Sequence, residues 1–92
     1  MTITVELSLY PLDHEFEGPI ISFIKSLKSS EDVEVFTHSM SSYIRGESGA
    51  VFNAINKSLK SVGDQTDTMS LVMKIVNRPL YPEKGFFPDE KI

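Results

Sequence analysis

Residues 3–10, Ile-Thr-Val-Glu-Leu-Ser-Leu-Tyr, alternate strictly between apolar and polar. A period of two with β-branched residues predicts a half-buried strand, Ile3, Val5, Leu7 and Leu9 on one face and Thr4, Glu6, Ser8 and Tyr10 on the other. Pro11 has no N–H to donate and is expected to end it. Residues 13–18 form an acidic connection, and Pro19 suits the first turn of a helix. Ile20, Phe23, Ile24 and Leu27 then recur at helical spacing. Glu15 and Glu17 before this helix and Lys25 and Lys28 at its end agree with the macrodipole. Residues 29–32 read as a turn. Residues 33–38 alternate again and predict a second strand. Ser39-Met40-Ser41-Ser42 is a turn or the start of the next strand, Tyr43–Glu47. Two strands so close imply an antiparallel hairpin. Ser48 is the expected N-cap of a second helix, with Val51, Ile55, Leu59 and Val62 along its apolar stripe, Phe52 and Ala54 widening it, and Gly63 as its stop. Met69, Leu71, Met73 and Ile75 alternate with polar and smaller residues in a fourth strand, its Leu71 side turned to the helices. Pro79, Pro82 and Pro88 make residues 78–92 an arm or tail without regular structure.

The order βαββαβ predicts an α+β fold of the ferredoxin-like kind, a four-stranded antiparallel sheet with two helices on one face. Right-handed crossovers give the strand order 4-1-3-2. Residues 1–77 form this domain. Lys-Ser-Leu-Lys-Ser occurs at 25–29 and again at 57–61, each time closing a helix, which hints at two related halves. The uncovered sheet face should present Thr4, Glu6, Ser8 and Tyr10, Ser70, Val72 and Lys74, Phe36 and His38, and either Tyr43 and Arg45 or Ser42 and Ile44. Apolar groups mixed with carboxylate, hydroxyl and cation suit a ligand pocket or a wet interface. Two open sheet edges favour a homo-oligomer, dimer or tetramer. Leu80, Tyr81, Phe86 and Phe87 would then be buried by laying the arm across a neighbouring subunit.

Composition narrows the chemistry. Ninety-two residues allow one core. Nine basic and thirteen acidic side chains, a net charge of −4, disfavour nucleic acid and anionic membrane surfaces as partners. No apolar run is long enough to span a bilayer, and the N-terminus does not read as a secretory signal, so a cytoplasmic location is expected. The absence of cysteine removes disulfides, thiolate chemistry and cysteine metal sites. The five glycines are scattered and form no phosphate loop. The fold is shared with small acyl-phosphate hydrolases, but their arginine-bearing glycine loop has no counterpart after the first strand. No residue set supports an enzyme, a metal or a cofactor. Asp13, Glu15 and Glu17 read as a solvated acidic loop, because hard cations need six or more convergent oxygens. His14 belongs to that loop. His38 ends the second strand beside Ser39, Ser41 and Ser42 and is the more informative histidine.

Three segments together resemble a known family: Leu7-Ser8-Leu9-Tyr10-Pro11-Leu12, Phe23-Ile24-Lys25, and Thr37-His38-Ser39-Met40-Ser41-Ser42-Tyr43-Ile44-Arg45-Gly46 followed by Val51-Phe52. Their order and spacing over residues 3–77 are similar to the Ykof-type thiamine- and hydroxymethylpyrimidine-binding family. The resemblance implies a non-catalytic binder of thiamine or its pyrimidine precursor, linked to uptake or salvage, built of one ferredoxin-like unit and assembled as a dimer or tetramer. It places the ligand near Ser8, Tyr10, Thr37, His38, Ser39, Ser41, Ser42 and Arg45. Two-unit members tend to carry acids directly after the threonine; here those positions are His38 and Ser39. Glu6 is the nearest substitute carboxylate for a cationic or protonated ring. The competing reading is a homo-oligomeric regulatory or interaction module without a small ligand.

Overall fold

The computed structural model describes residues 1–12 and 17–84. Strand β1 spans Thr2–Pro11, helix α1 Glu17–Lys28, β2 Glu34–Thr37, β3 Ser42–Glu47, α2 Ser48–Val62 and β4 Met69–Val76, followed by a 3-10 turn at Pro82–Lys84. The βαββαβ order is the expected one, and the antiparallel sheet runs β2-β3-β1-β4. The acidic connection and His14, and the tail from Gly85 onward, lie outside the described residues apart from Glu17 and Gly18.

Strand β1 pairs on both sides, and the parity of its residues fixes the sheet. The Ser48 N–H donates to the Met1 carbonyl and the Leu12 N–H to the Thr68 carbonyl, both at 2.9 Å. These bonds extend the β1–β3 and β1–β4 registers by one pair each. Hydrogen-bonded pairs alternate along an antiparallel ladder. Odd residues of β1 therefore bond to β3 and even residues to β4. Odd side chains Ile3, Val5 and Leu7 are buried with Phe23, Leu27, Ile44, Val51, Ala54, Ile55 and Val62 in one core under the helices. Leu9, Leu71 and Met69 are partly buried against it, as the predicted face of β4 requires. Pro11 ends β1, as expected, and as its last residue still pairs with Met69. Its nitrogen points toward the β3 side, where pairing has already stopped at Leu7 with Ser42. The missing donor costs no ladder bond there.

Of the two boundaries of α2, the start differs from expectation and the stop at Gly63 agrees with it. Strand β3 passes directly into α2, so the N-cap position falls on extended Glu47, and Ser48 is the first helical residue. Gly63 follows α2 in the right-handed region, its N–H donating to the Leu59 carbonyl at 3.0 Å. The two Lys-Ser-Leu-Lys-Ser copies meet where the helices cross. Ser58 Oγ, fully buried, donates to Ser26 Oγ at 2.9 Å, and these are equivalent positions of the repeat. Small hydroxyl residues on both helices let the backbones approach and satisfy each other.

The open face carries Glu34 and Phe36, Tyr43 and Arg45, Thr4, Glu6, Ser8 and Tyr10, and Ser70, Val72, Lys74 and Val76, by register. The register selects Tyr43 and Arg45 over Ser42 and Ile44, both of which are buried. After β4 the chain returns across this face. Thr4 Oγ1 donates to the Arg78 carbonyl at 3.1 Å and accepts the Leu80 N–H at 2.8 Å. Arg45, only 6% exposed, reaches Glu34 through Nε and Nη2 at 3.1 and 3.0 Å, Glu83 through Nη1 and Nη2 at 3.2 and 3.0 Å, and the Leu80 carbonyl at 2.6 Å. Its guanidinium lies between the Phe36 and Tyr81 rings, 5.0 and 4.3 Å from their centroids. Hydrogen bonds to Glu34 first and Glu83 second hold Arg45 above even its usual high pKa. The hydrogen bond from Arg45 holds the Glu83 carboxyl below the usual carboxylate range. Residues 78–84 are thus a strap on their own sheet, which corrects the expectation that this part of the arm crosses to a neighbour.

Three outcomes follow from this packing. Ser58→Leu should overfill the helix crossing and destabilise by about 1–3 kcal/mol in urea unfolding. Thr4→Val keeps the shape but strands the Leu80 N–H and the Arg78 carbonyl, costing about 1–3 kcal/mol and removing the hydrogen-exchange protection of the Leu80 amide. Because the folded Glu83 carboxyl titrates below its unfolded value of about 4.3, the strap's ionic contribution is complete above that pH and is lost as pH falls through the folded value. Leu80 protection should fall over that acid range in the wild type, and Glu83→Gln should abolish this component.

Candidate functional site

At one end of the sheet a pocket of about 170 Å³ opens between the second half of β1, helix α1 and the β2–β3 hairpin. Leu7, Ser8, Leu9 and Tyr10 form one wall; Ile20, Phe23 and Ile24 form the second; Thr37, His38, Ser39, Met40, Ser41 and Ser42 form the third. The local causes are plain. The apolar stripe of α1 has a period near 3.6, so its first two turns aim Ile20, Phe23 and Ile24 at the same side. The hairpin closes tightly, the His38 N–H donating to the Ser41 carbonyl at 2.9 Å. That turn projects Met40, 88% exposed, to the tip and folds the serines back toward β1.

The lining is an apolar floor with a hydroxyl rim. Ser42 Oγ is held to Thr37 Oγ1 at 3.4 Å, and Ser41 Oγ donates to Glu6 Oε2 at 3.2 Å. His38 Nε2 and the Tyr43 hydroxyl share a 2.7 Å hydrogen bond, with ring centroids 4.9 Å apart. Tyr43 also meets Phe36, 6.0 Å between centroids. An aromatic and imidazole surface thus runs from the pocket mouth along the open face. Such a concave site, apolar with a few directional polar groups, suits a small planar heterocycle.

Of the sequence-derived candidates, Ser8, Tyr10, Thr37, His38, Ser39, Ser41 and Ser42 come together in this lining. Glu6 stands one hydrogen bond behind it, through Ser41, and its other oxygen is 3.7 Å from Lys74 Nζ. Arg45 does not join them: its donors are taken by Glu34, Glu83 and Leu80 beneath the strap. Nor do Glu6 and Arg45 pair across the strands, since each has a different ionic partner. Sequence reasoning gave Ile20, Phe23 and Ile24 only as part of the apolar stripe of the first helix and missed them as a pocket wall. Among the described residues no three His, Cys, Asp or Glu side chains cluster as a metal site. No described helix is long and apolar enough to cross a membrane.

Comparison with solved structures finds the same fold repeatedly. A hypothetical protein of Methanocaldococcus jannascii is 20% identical with a TM-score of 0.74, covering 85% of this chain and 81% of its own. A Streptococcus pneumoniae protein is 20% identical with a TM-score of 0.78, covering 87% and 90%. A Thermotoga maritima protein, a candidate for thiamine biosynthesis or salvage, is 13% identical with a TM-score of 0.80, covering 92% and 96%. At these identities the likeness establishes the shared fold. Comparison with curated proteins finds no match. The model of the YKOF-related family, however, matches residues 2–79, which include every strand, both helices and the whole pocket lining. The chain therefore belongs to the YKOF-related family.

Proposed function

We propose that this protein binds a thiamine-related compound non-catalytically in the pocket between β1, α1 and the hairpin, and serves its uptake or salvage as a homo-oligomer. The observation that carries the reading is a coincidence of place. The segments 7–12, 23–25 and 37–46, which with Val51-Phe52 carry the resemblance to thiamine and hydroxymethylpyrimidine binders, are far apart in sequence, yet residues 7–10, 23–24 and 37–42 of them supply most of the pocket lining. The Thermotoga maritima neighbour, a candidate for thiamine biosynthesis or salvage, points the same way.

Size and chemistry favour the smaller compound. Pockets for drug-sized ligands run to about 300–1,000 Å³, and this one is about 170 Å³. A single aminopyrimidine ring fits that space better than the two-ring vitamin. Its faces match Leu9, Phe23 and Ile24, and its ring nitrogens and exocyclic groups match serine, threonine, tyrosine and imidazole partners. Glu6 lies behind Ser41 and acts on a cation or protonated ring through that hydroxyl rather than by direct contact.

Calorimetric titration with hydroxymethylpyrimidine and with thiamine tests this. The pyrimidine should bind more tightly. His38→Ala, at an exposed position, should weaken it at least tenfold, about 1.4 kcal/mol, with little change in melting temperature. Glu6→Gln should have a smaller effect, because Ser41 still presents its hydroxyl. No heat with either compound would leave the interaction module without a small ligand as the better reading.

A further inference from the structure

Strand parity builds an aromatic row that ends at the pocket. Phe36 of β2 lies directly opposite Tyr43 of β3, and both side chains face the open side of the sheet. His38, two residues beyond Phe36, shares that side and stands diagonally across from Tyr43, within reach of a long ring. The centroids of Phe36 and Tyr43 are 6.0 Å apart with the rings at 40°, and those of Tyr43 and His38 are 4.9 Å apart at 31°. Of these three residues only His38 lines the pocket. Its backbone is held by the 2.9 Å bond to the Ser41 carbonyl, and its ring by the 2.7 Å bond between Nε2 and the Tyr43 hydroxyl. Among the described residues neither that hydroxyl nor the second ring nitrogen, Nδ1, has another hydrogen-bond partner.

We infer that Tyr43 is a positioning residue: its hydroxyl fixes the His38 imidazole with the proton on Nδ1, so that the pocket wall offers an N–H donor to a neutral nitrogen heterocycle. The inference rests on the pyrimidine-binding reading above and adds the polarity of one contact. Which nitrogen of a histidine carries the proton is set by the bond that the other one makes. Nε2 is occupied by Tyr43, so a ligand that bonds to this ring meets Nδ1. The direction of the Tyr43–His38 bond follows from the two groups. A phenol, with a pKa of about 10, is a better donor than a neutral imidazole N–H, and an imidazole nitrogen is a better acceptor than a phenol oxygen. Tyr43 Oη therefore donates to Nε2, and the imidazole proton lies on Nδ1. Turning the ring over would put a C–H in place of Nε2 and break the bond. Ser41, the cross-turn neighbour of His38, spends its own proton on Glu6 Oε2 and is left with oxygen lone pairs to offer. The rim thus sets a donor beside an acceptor. That pair complements an unprotonated ring nitrogen next to an exocyclic amino group, the edge that an aminopyrimidine presents.

Two measurements test this separately. Nitrogen NMR of the free protein reads the tautomer with no ligand present, with His14→Gln leaving His38 as the single imidazole. At about pH 8.5, where a free imidazole is neutral, His38 should carry its proton on Nδ1. Tyr43→Phe should shift it toward Nε2, the preference of an unconstrained imidazole. Calorimetric titration with hydroxymethylpyrimidine reads the consequence. Tyr43→Phe keeps the ring stack and should leave the melting temperature unchanged, yet weaken binding about threefold to tenfold, because only the donor tautomer is competent. In the His38→Ala background the same substitution should cost nothing further. A wild-type His38 protonated on Nε2, or a tautomer that Tyr43→Phe does not shift, overturns the inference whatever binds. So does unchanged affinity in Tyr43→Phe, or a loss of the same size with and without the His38 ring. An Nδ1-protonated His38 with no heat from the pyrimidine overturns the proposed function instead and leaves the fixed donor standing.

Discussion

The central position of β1 is the constraint from which the rest of the molecule follows. A strand paired on both sides has each residue committed in two ways at once, by the direction of its backbone groups and by the face of its side chain. Here odd residues bond to β3 and face the core, and even residues bond to β4 and face the open side. Every other strand inherits its parity from this one. That is why Arg45 lies opposite Thr4 and Glu34 on the open face, where the strap can reach it. It is also why the outward backbone groups of β4 sit on Met69, Leu71, Met73 and Ile75, the residues on the helix side of the strand.

Arg45 then divides the open face. A guanidinium taken out of water needs partners for its donors, because a buried unpaired charge is strongly unfavourable. Two carboxylates and a carbonyl meet that need, and two of those three partners come from the strap. The buried charge is thus tied to the docking of residues 78–84, and the half of the face near Thr4 is closed. The half near Ser8 and Tyr10 stays open and runs into the pocket. A residue read as a ligand contact is a structural clamp whose effect on the pocket is to keep the strap clear of it.

The alternation of Ile3 to Tyr10 and the helical spacing of Phe23, Leu27, Val51 and Ile55 made the fold legible, because period alone separates the two faces of such elements. The grouping of Ser8, Tyr10 and Thr37 to Ser42 around one pocket was legible, because these polar residues cluster locally in two short segments. Arg45 was misread because its partners, Glu34 and Glu83, are 11 and 38 positions away. An isolated Glu83 behind Pro82 gives no periodic signal. Ile20, Phe23 and Ile24 were hidden for the opposite reason: a stripe that lines a pocket has the same spacing as one that fills a core. Pro11 marked the end of β1 correctly, but one strand's sequence does not reveal that its neighbour β3 stops earlier, at Leu7 with Ser42, which is what leaves the missing N–H without a ladder partner to lose.

The pocket and the β4 edge occupy different parts of the sheet. The pocket lies where β1 ends, beside Tyr10, and its third wall comes from the hairpin on the far side of β1 from β4. Its lining comes from β1, α1 and the hairpin, with no residue of β4 or of the strap. A change at the β4 edge therefore reaches the pocket only through β1, the strand that both share. Because β1 is held by ladders on both sides, that path is stiff, and the wall free to move is the hairpin, whose β2 strand is an edge of four residues.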